Sequence, residues 1–336
     1  MEFKKIIISR TDSIGDVVLT LPVAGVLKKL HPDCKIIFLG NSYTREIVNI
    51  SINIDEFADW DEIKKLDKKN IISSIKQIKA DAIIHVFPDK LIAEVAKKAQ
   101  IPYRFGTTGR LYHWNTCNKL IRLSRRHSPY HEAQLNLKLI KSFGAKELYE
   151  KKEIPIFYGM KNIKPLEKNL KDLISKKRFN LILHPKSKGS AREWGTNNFS
   201  QLIEILSEDK FKIFVTGTKE EGQLIKKSII EKFPEVIDLT GKLSLNELIS
   251  FISNADGLVA ASTGPLHIAA ALGKYAIGIY PPIKPMHPGR WAPIGKNASY
   301  LVLDKKCNKC RKNSHCDCIE DINPELVKNK LMEIIL

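Results

Sequence analysis

The 336-residue chain has no apolar run that approaches the roughly 20 residues needed to span a bilayer. Its longest apolar stretches, such as LILHP and KIIFLG, are strand-sized. A secretory leader is also missing from the first residues, MEFKKIIISR, whose apolar part is short and leads straight into a turn. The expectation is a cytoplasmic protein. Acidic residues are few: 37 Asp and Glu stand against 55 Lys and Arg, a net charge of +18. No zinc-finger, RNA-recognition or helix-turn-helix signature goes with that excess, so charge alone does not make a nucleic-acid binder. Two readings stay open: lysines spread over a solvated surface, or a negatively charged partner such as an anionic lipid or phosphorylated glycan.

Cysteine is sparse and uneven. Cys34 and Cys117 are isolated, while Cys307, Cys310, Cys316 and Cys318 cluster beside His315. A C-x2-C start suits a metal, but C-x-C is poor spacing for a tetrahedral zinc knuckle. Reduced thiols are the simpler expectation in a cytoplasmic chain, where structural disulfides are rare.

What is present alternates. KKIIIS, CKIIFLG, DAIIHVF and PYRFG read as strands, INIDEFADW as a short strand with a loop, and the stretches between them carry helical spacing. One helix is expected from about Asp16 to Leu30, and HEAQLNLKLIKSFG reads as an amphipathic helix ended by Gly144. A charged stretch, 151–177, separates this half from a second alternation. There FNLILHP, FKIFVTG, EVIDLTG, GLVAAS and YAIGIYPP read as strands, and SLNELISFISNA as a helix with a Ser244–Glu247 capping box. Strands apolar on both faces and separated by helices mean parallel α/β sheets. The expected fold is therefore α/β with two doubly wound domains, 1–160 and 161–320, facing a cleft. Residues 321–336 form a final helix that is expected to pack back on the first domain. No close internal repeat is visible.

In such sheets ligands bind beyond the carboxyl ends of the strands. Five turns there hold suggestive residues. SRTDSIGDVVLTLP places Gly15 and Asp16 after the first strand; taken alone, Asp16 reads as a dipole-stabilised helix cap. In ASTGPLHIAAALG, hydroxyls and free N–H groups precede an Ala-rich helix, an anion site suited to a diphosphate. His267 follows and could be structural. HPKSKGSAREW offers Lys186, Ser187, Lys188 and Arg192, with Arg192 the best placed to bridge phosphates, unless this is only a solvated basic loop. VTGTKEE holds Glu221, which could accept from a ribose diol or simply sit at a helix start. YPPIKPMHPGRWAPIG is too apolar for a linker and is expected to line the cleft.

Together these stretches resemble glycosyltransferase family 9, the ADP-heptose:lipopolysaccharide heptosyltransferases, over nearly the whole chain. SRTDSIGDVVLTLPVAGVLKKLHPDCKI, HPKSKGSAREWGTNNFSQL, VTGTKEE, TGKLSLNELISFISNAD, STGPLHIAAALG, RWAPIG and INPELV carry the likeness in order and spacing. The resemblance implies a GT-B fold, with nucleotide sugar on the C-terminal domain and acceptor on the N-terminal one. It implies inverting transfer without a metal or other cofactor. Asp16 falls at the general base. Arg192 falls where the family usually has a Lys at the diphosphate, with Lys186, Ser187, Thr263, Gly264 and His267 beside it. Glu221 matches the ribose-binding Glu. Ser262 stands where the family often has a sugar-contacting Asp, which opens the donor to sugars other than heptose.

Arg10, Ser13, Gly15, Arg125 and Arg126 are expected on the acceptor side. Arg45, Arg104, Arg110 and Arg122 would extend a basic face toward a lipid A–core acceptor at the inner membrane, with the enzyme peripheral on its cytoplasmic side. Neither a nucleic-acid partner nor a metal is expected. The alternatives are a GT-B enzyme using another nucleotide sugar, and a nucleotide-sugar epimerase or hydrolase.

Overall fold

The computed structural model describes residues 3–125, 128–303 and 316–335, and the chain divides into two compact units at Asn162 and Ile163. Among the described residues, each unit holds one six-stranded parallel sheet. The first comprises β1 (Lys5–Ser9), β2 (Lys35–Gly40), β3 (Glu56–Asp59), β4 (Ala82–His85), β5 (Tyr103–Thr107) and β6 (Lys119–Ile121), in the order β3-β2-β1-β4-β5-β6. The second comprises β7 (Phe179–His184), β8 (Phe211–Val215), β9 (Ile237–Asp238), β10 (Gly257–Ala261), β11 (Tyr275–Tyr280) and β12 (Ala298–Val302). Its order, β12-β11-β10-β7-β8-β9, is the first order counted from the other edge. Both are the doubly wound arrangement, in which the order of strand addition reverses beside the first strand of each unit. The sequence shows no repeat, yet the two topologies are the same.

Of the central strands, β4 and β10 are buried from end to end, and β1 and β7 everywhere but their first residue. Ile7, Ile37, Leu39, Ile83 and Trp60 belong to one core of the first unit. Trp194, Phe199, Leu181, Val259 and Ile277 belong to that of the second. Two strands escape the sequence reading, β6 and β12. Both are sheet edges with partly exposed residues, so the double-sided apolar signal is absent.

The helix expected from Asp16 to Leu30 is two helices, Ile14–Val18 and Leu21–Leu30. Pro22, which has no N–H to donate to a preceding turn, stands at the start of the second. The C-terminal helix, Pro324–Ile335, corrects another expectation. Val327 and Leu331 are buried in the second unit's core, and the helix packs along Thr196–Ile205. The Trp194 indole N–H donates to the Ile322 carbonyl at 2.8 Å, and Asn198 donates to Glu320 O at 2.7 Å. Apolar burial and these two bonds tie the tail to the second unit. Cys316 and Cys318 are buried in that core, whereas Cys307 and Cys310 lie outside the described residues. The Pro-rich loop likewise packs on its own unit, with Ile283 in the core and the Tyr280 hydroxyl donating to Trp291 O at 2.6 Å. No described helix is long and apolar enough to cross a membrane.

Close approach fixes two glycines. A Cβ on Gly25 would lie 2.1 Å from the Phe157 carbonyl oxygen, and one on Gly295 would lie 2.1 Å from that of Ala270. Backbone cannot rotate away as a side chain can. Gly25→Ala should therefore destabilise the first unit by about 1–3 kcal/mol, the cost of overpacking. Urea denaturation followed by circular dichroism measures this, and an unchanged midpoint would contradict the packing described.

Candidate functional site

The first site is built on the turn after β1. Ser13 has N-cap geometry for the short helix Ile14–Val18, and Asp16 lies in that helix's first turn. The Asp16 carboxylate does not cap the helix. It accepts from the Arg10 guanidinium and from the Ser13 hydroxyl, and stays about one-fifth exposed. Thr20 anchors the same residue by donating to the Asp16 carbonyl at 2.8 Å.

Arg10 is the hub. It is 3% exposed, and its Nε donates to Asp12 at 2.7 Å. Nη2 meets Asp16, and Nη1 meets Glu132 at 3.2 Å. Glu132 is 1% exposed and also accepts from Arg125 at 2.9 Å. Arg125 in turn donates to Asn136 and to the Val86 carbonyl, both at 3.0 Å. Asn136 closes the network by donating to Leu19 O at 3.1 Å and toward the Thr20 hydroxyl at 3.3 Å. Arg10 and Arg125 were expected to face an acceptor. Instead their guanidinium groups are turned inward onto the buried Glu132 carboxylate, where each charge offsets the desolvation of the other.

Of the wider basic face, Arg104 bonds the Thr116 and Ile101 carbonyls, and Arg45 pairs with Asp59 at 2.7 Å. Arg110 and Arg122 remain exposed. Arg126 lies outside the described residues.

Burial works against the Arg10 charge, but Asp12, Asp16 and Glu132 outweigh it and hold the guanidinium above its ordinary pKa. Asp12 shows the converse. Burial pushes it up, Arg10 pulls it back, and the nearby Asp16 and Glu132 push it further, to about 6. One cation is shared among three carboxylates, and Asp12 bears the surplus. Beneath this turn, burial pushes His85 down to about 3, so it stays neutral, with its ring stacked 5.6 Å from His113. The chain's single Asp-x-Asp triplet, Asp59–Trp60–Asp61, is engaged elsewhere. Asp59 binds Arg45 and caps the helix Trp60–Ile63, and Asp61 accepts from the Ser42 N–H at 2.9 Å.

The second site lies beyond β7, β8 and β10. Glu221 is buried and grips two loops. It accepts from the Lys188 N–H at 3.0 Å and from the Thr218 N–H at 2.8 Å, the latter in a capping box. Glu193, which sequence reasoning passed over, holds the same loop. It pairs with Lys186 and accepts from Ser187 N–H and Oγ at 3.0 and 3.1 Å. Its signal was available, since it is the only acid among the cations of HPKSKGSAREW. Lys186, Lys188, Glu193, Thr218, Glu221 and Leu224 line a pocket of about 450 Å³. That volume is in the range of small-ligand sites. With one N–H on each oxygen, the Glu221 carboxylate keeps lone pairs for a diol.

Arg192, Thr263, Gly264 and His267 are not among the lining residues. Thr263, Gly264 and His267 follow the neighbouring strand: Ala260 pairs with His184, so the turn at Thr263 adjoins the loop after β7. Thr263 opens the helix Gly264–Ala271, and its Oγ1 is buried with no partner. Burial pushes His184 down to about 4, although Glu221 and Glu193 pull the other way, and its ring bonds Thr216 at 2.9 Å. Arg192 is half-buried. Ser262 shares a hydrogen bond with Tyr280.

Two Rossmann-like units, one with a partly exposed carboxylate and the other with a pocket of small-ligand size at its strand ends, are the arrangement of a GT-B glycosyltransferase. The chain belongs to glycosyltransferase family 9 (heptosyltransferase), whose model matches residues 71–319. It is 28% identical to a provisionally named glycosyltransferase of Haemophilus influenzae, covering 99% of this chain and 96% of that protein. It is 25% identical to lipopolysaccharide heptosyltransferase 3 of Escherichia coli over 79% of each. The solved structure of E. coli ADP-heptose LPS heptosyltransferase II superposes with a TM-score of 0.74 at 18% identity, covering 99% of this chain and 98% of that one.

The Asp12 shift has a thermodynamic consequence. Its carboxyl binds a proton more tightly in the folded chain (about 6) than at the ordinary value of 3.8. Between those values the native state holds the extra proton, so Asp12 makes stability fall as pH rises through that window. Asp12→Asn should flatten that fall. Urea midpoints measured across the window for both proteins decide it, and equal slopes would refute the shift.

Proposed function

We propose that this enzyme transfers a heptose, or a closely related sugar, from an ADP-sugar to the inner core of lipopolysaccharide. The acceptor is of the lipid A–Kdo type, and Asp16 is the general base. The observation that carries this reading is the Asp16 carboxylate, fixed by Arg10 and Ser13 yet open to solvent at the carboxyl end of β1. The relatives support the substrate class: one is named for ADP-heptose and for lipopolysaccharide, another for lipopolysaccharide.

In the proposed step an acceptor hydroxyl attacks the anomeric carbon. Its proton passes to Asp16 as the new C–O bond forms, and the bond from that carbon to the diphosphate oxygen breaks on the opposite face. Configuration inverts. ADP leaves with the bonding electrons, so the developing charge needs donors already in place. Arg192, Lys186 and Ser187 supply them from one loop. The Thr263 hydroxyl and the N–H groups opening Gly264–Ala271 supply them from the next. Glu221 takes the ribose diol, and Leu224 gives the nucleoside an apolar wall. No metal is assigned a role. Ser13 and Gly15 shape the approach to the base, and Arg10 keeps its carboxylate aimed. The enzyme works at the cytoplasmic face of the inner membrane, where its lipid acceptor lies.

The test is a donor screen with both C6 epimers of ADP-heptose and other ADP-, GDP- and UDP-sugars. It is read by thermal shift and by the mass gained by a lipid A–Kdo acceptor. Donor breakdown with no acceptor present would instead mark an epimerase or hydrolase. Asp16→Asn should leave the thermal shift with donor intact and lower kcat by about 10² or more, the scale of general-base catalysis. Turnover near that of the parent would remove Asp16 from the role. Glu221→Gln should weaken ADP binding in calorimetry while kcat at saturating donor changes little; unaltered ADP affinity would place the ribose elsewhere.

A further inference from the structure

The carboxyl edge of β4, β5 and β6 carries a repeated pairing that the transfer step does not use. The helix after β4 opens with Lys90 and Leu91, which are 70% and 45% exposed. The helix after β5, Leu111–Thr116, is preceded by the exposed Arg110 and opens with Leu111, which is 88% exposed. One turn on, Trp114 is 59% exposed. Arg122, also exposed, follows β6 directly.

Helix formation does not explain this choice. Arg110 occupies the N-cap position without making a side-chain cap bond, where Ser, Thr, Asp or Asn would stabilise the helix. Single exposed apolar residues are ordinary, but three at one sheet edge that also carries Lys90, Arg110 and Arg122 are not. They are also held firmly. The Trp114 indole N–H donates to Thr108 O at 3.1 Å, and the Thr108 N–H donates to Ile121 O at 3.0 Å. The two helices pack against each other, and Lys97 reaches from one to the Asn115 carbonyl of the other at 2.7 Å. Of the acids nearby, Asp89 caps the Ile92 N–H, and Glu94 stands 3.9 Å from Lys90.

We propose that this edge, Lys90–Leu91, Arg110–Leu111, Trp114 and Arg122, docks on an anionic phospholipid surface. Apolar side chains enter the acyl boundary while the cations meet lipid phosphates, and such binding needs both signals together. All strands of the sheet are parallel, so the turn bearing Asp16 lies at the same edge. β5 is two strands from β1, about 10 Å at the usual strand spacing. Docking therefore brings the base down to the headgroup layer, where a lipid-anchored acceptor presents its sugar. The functional meaning of the contact rests on the lipid acceptor proposed above; the contact itself does not.

The full chain is sedimented with phosphatidylcholine vesicles made with and without phosphatidylglycerol, in the absence of donor and acceptor. The parent should bind the anionic vesicles and leave the neutral ones. The L111S/W114S variant should bind at least about tenfold more weakly, and raised salt should weaken the parent. Both replaced residues are exposed, and matching thermal melts will confirm that the variant is folded. On a deacylated, water-soluble acceptor the variant should turn over like the parent. Equal vesicle binding by variant and parent, or no binding by the parent, overturns the docking surface. So does a parent dimer that becomes monomeric in the variant, which would make the patch a contact between copies. A chain that binds vesicles but glycosylates no soluble acceptor overturns the proposed reaction instead and leaves the docking surface standing.

Discussion

The N-terminal site depends on a single guanidinium taken out of water. A buried charge is costly, and removing one partner of such a pair typically costs about 3–5 kcal/mol because the other is left uncompensated. Arg10 meets that cost with Asp12, Asp16 and Glu132 at once. Two of those carboxylates come from its own turn, and the third comes from a helix more than a hundred residues later. The turn after β1 is therefore not a free loop. It is clamped from below by Glu132, which Arg125 also binds, and from the side by Asn136, which holds Leu19 and Thr20 at the junction of the two short helices. Splitting that helix is what frees the Leu19 carbonyl for Asn136. The outcome is a carboxylate with one direction open to solvent and the others fixed.

The C-terminal site inverts the electrostatics within the same topology. There the carboxylates are the clamps. Glu193 and Glu221 bind loop N–H groups and Lys186, which curls the segment after β7 against the helix after β8. The polar groups left over are donors, namely the Thr263 hydroxyl and the opening of an Ala-rich helix. One unit thus finishes its strand ends with a partly exposed carboxylate, and the other with a hydroxyl and the N–H groups of a helix start. The displacement proposed above would use that division, since one face must accept a proton and the other must stabilise a leaving diphosphate.

The sequence made the buried strands legible because they are apolar on both faces, and the strand-end turns legible because Gly, Thr and charged residues interrupt apolar runs there. The family likeness drew attention to Asp16 and Glu221, but neither spacing nor likeness could show what Arg10 was doing. Its partner Glu132 is 122 residues away, and from sequence a Glu opening a helix looks like a dipole cap. Arg125 was misjudged for the same reason: an arginine in a basic run looks exposed until its carboxylate is known. The edge strands β6 and β12 were missed because half-exposed strands lose the pattern that reveals central ones. The helix Leu111–Thr116 was missed because it is short and begins without a capping side chain.

The same constraint applies at Ser262. Ser262 stands one residue past the end of a strand buried along its whole length, and its hydroxyl is tied to Tyr280, whose own hydroxyl donates to Trp291 O. A charged residue at that position would need a partner there or access to solvent, because an unpaired carboxylate facing Tyr280 would be penalised by the burial that already raises the Tyr280 pKa. Ser avoids that penalty. A neutral Ser262 therefore belongs with the apolar, Pro-rich loop that follows β11, and a change of residue type at this turn would require a change in the loop as well.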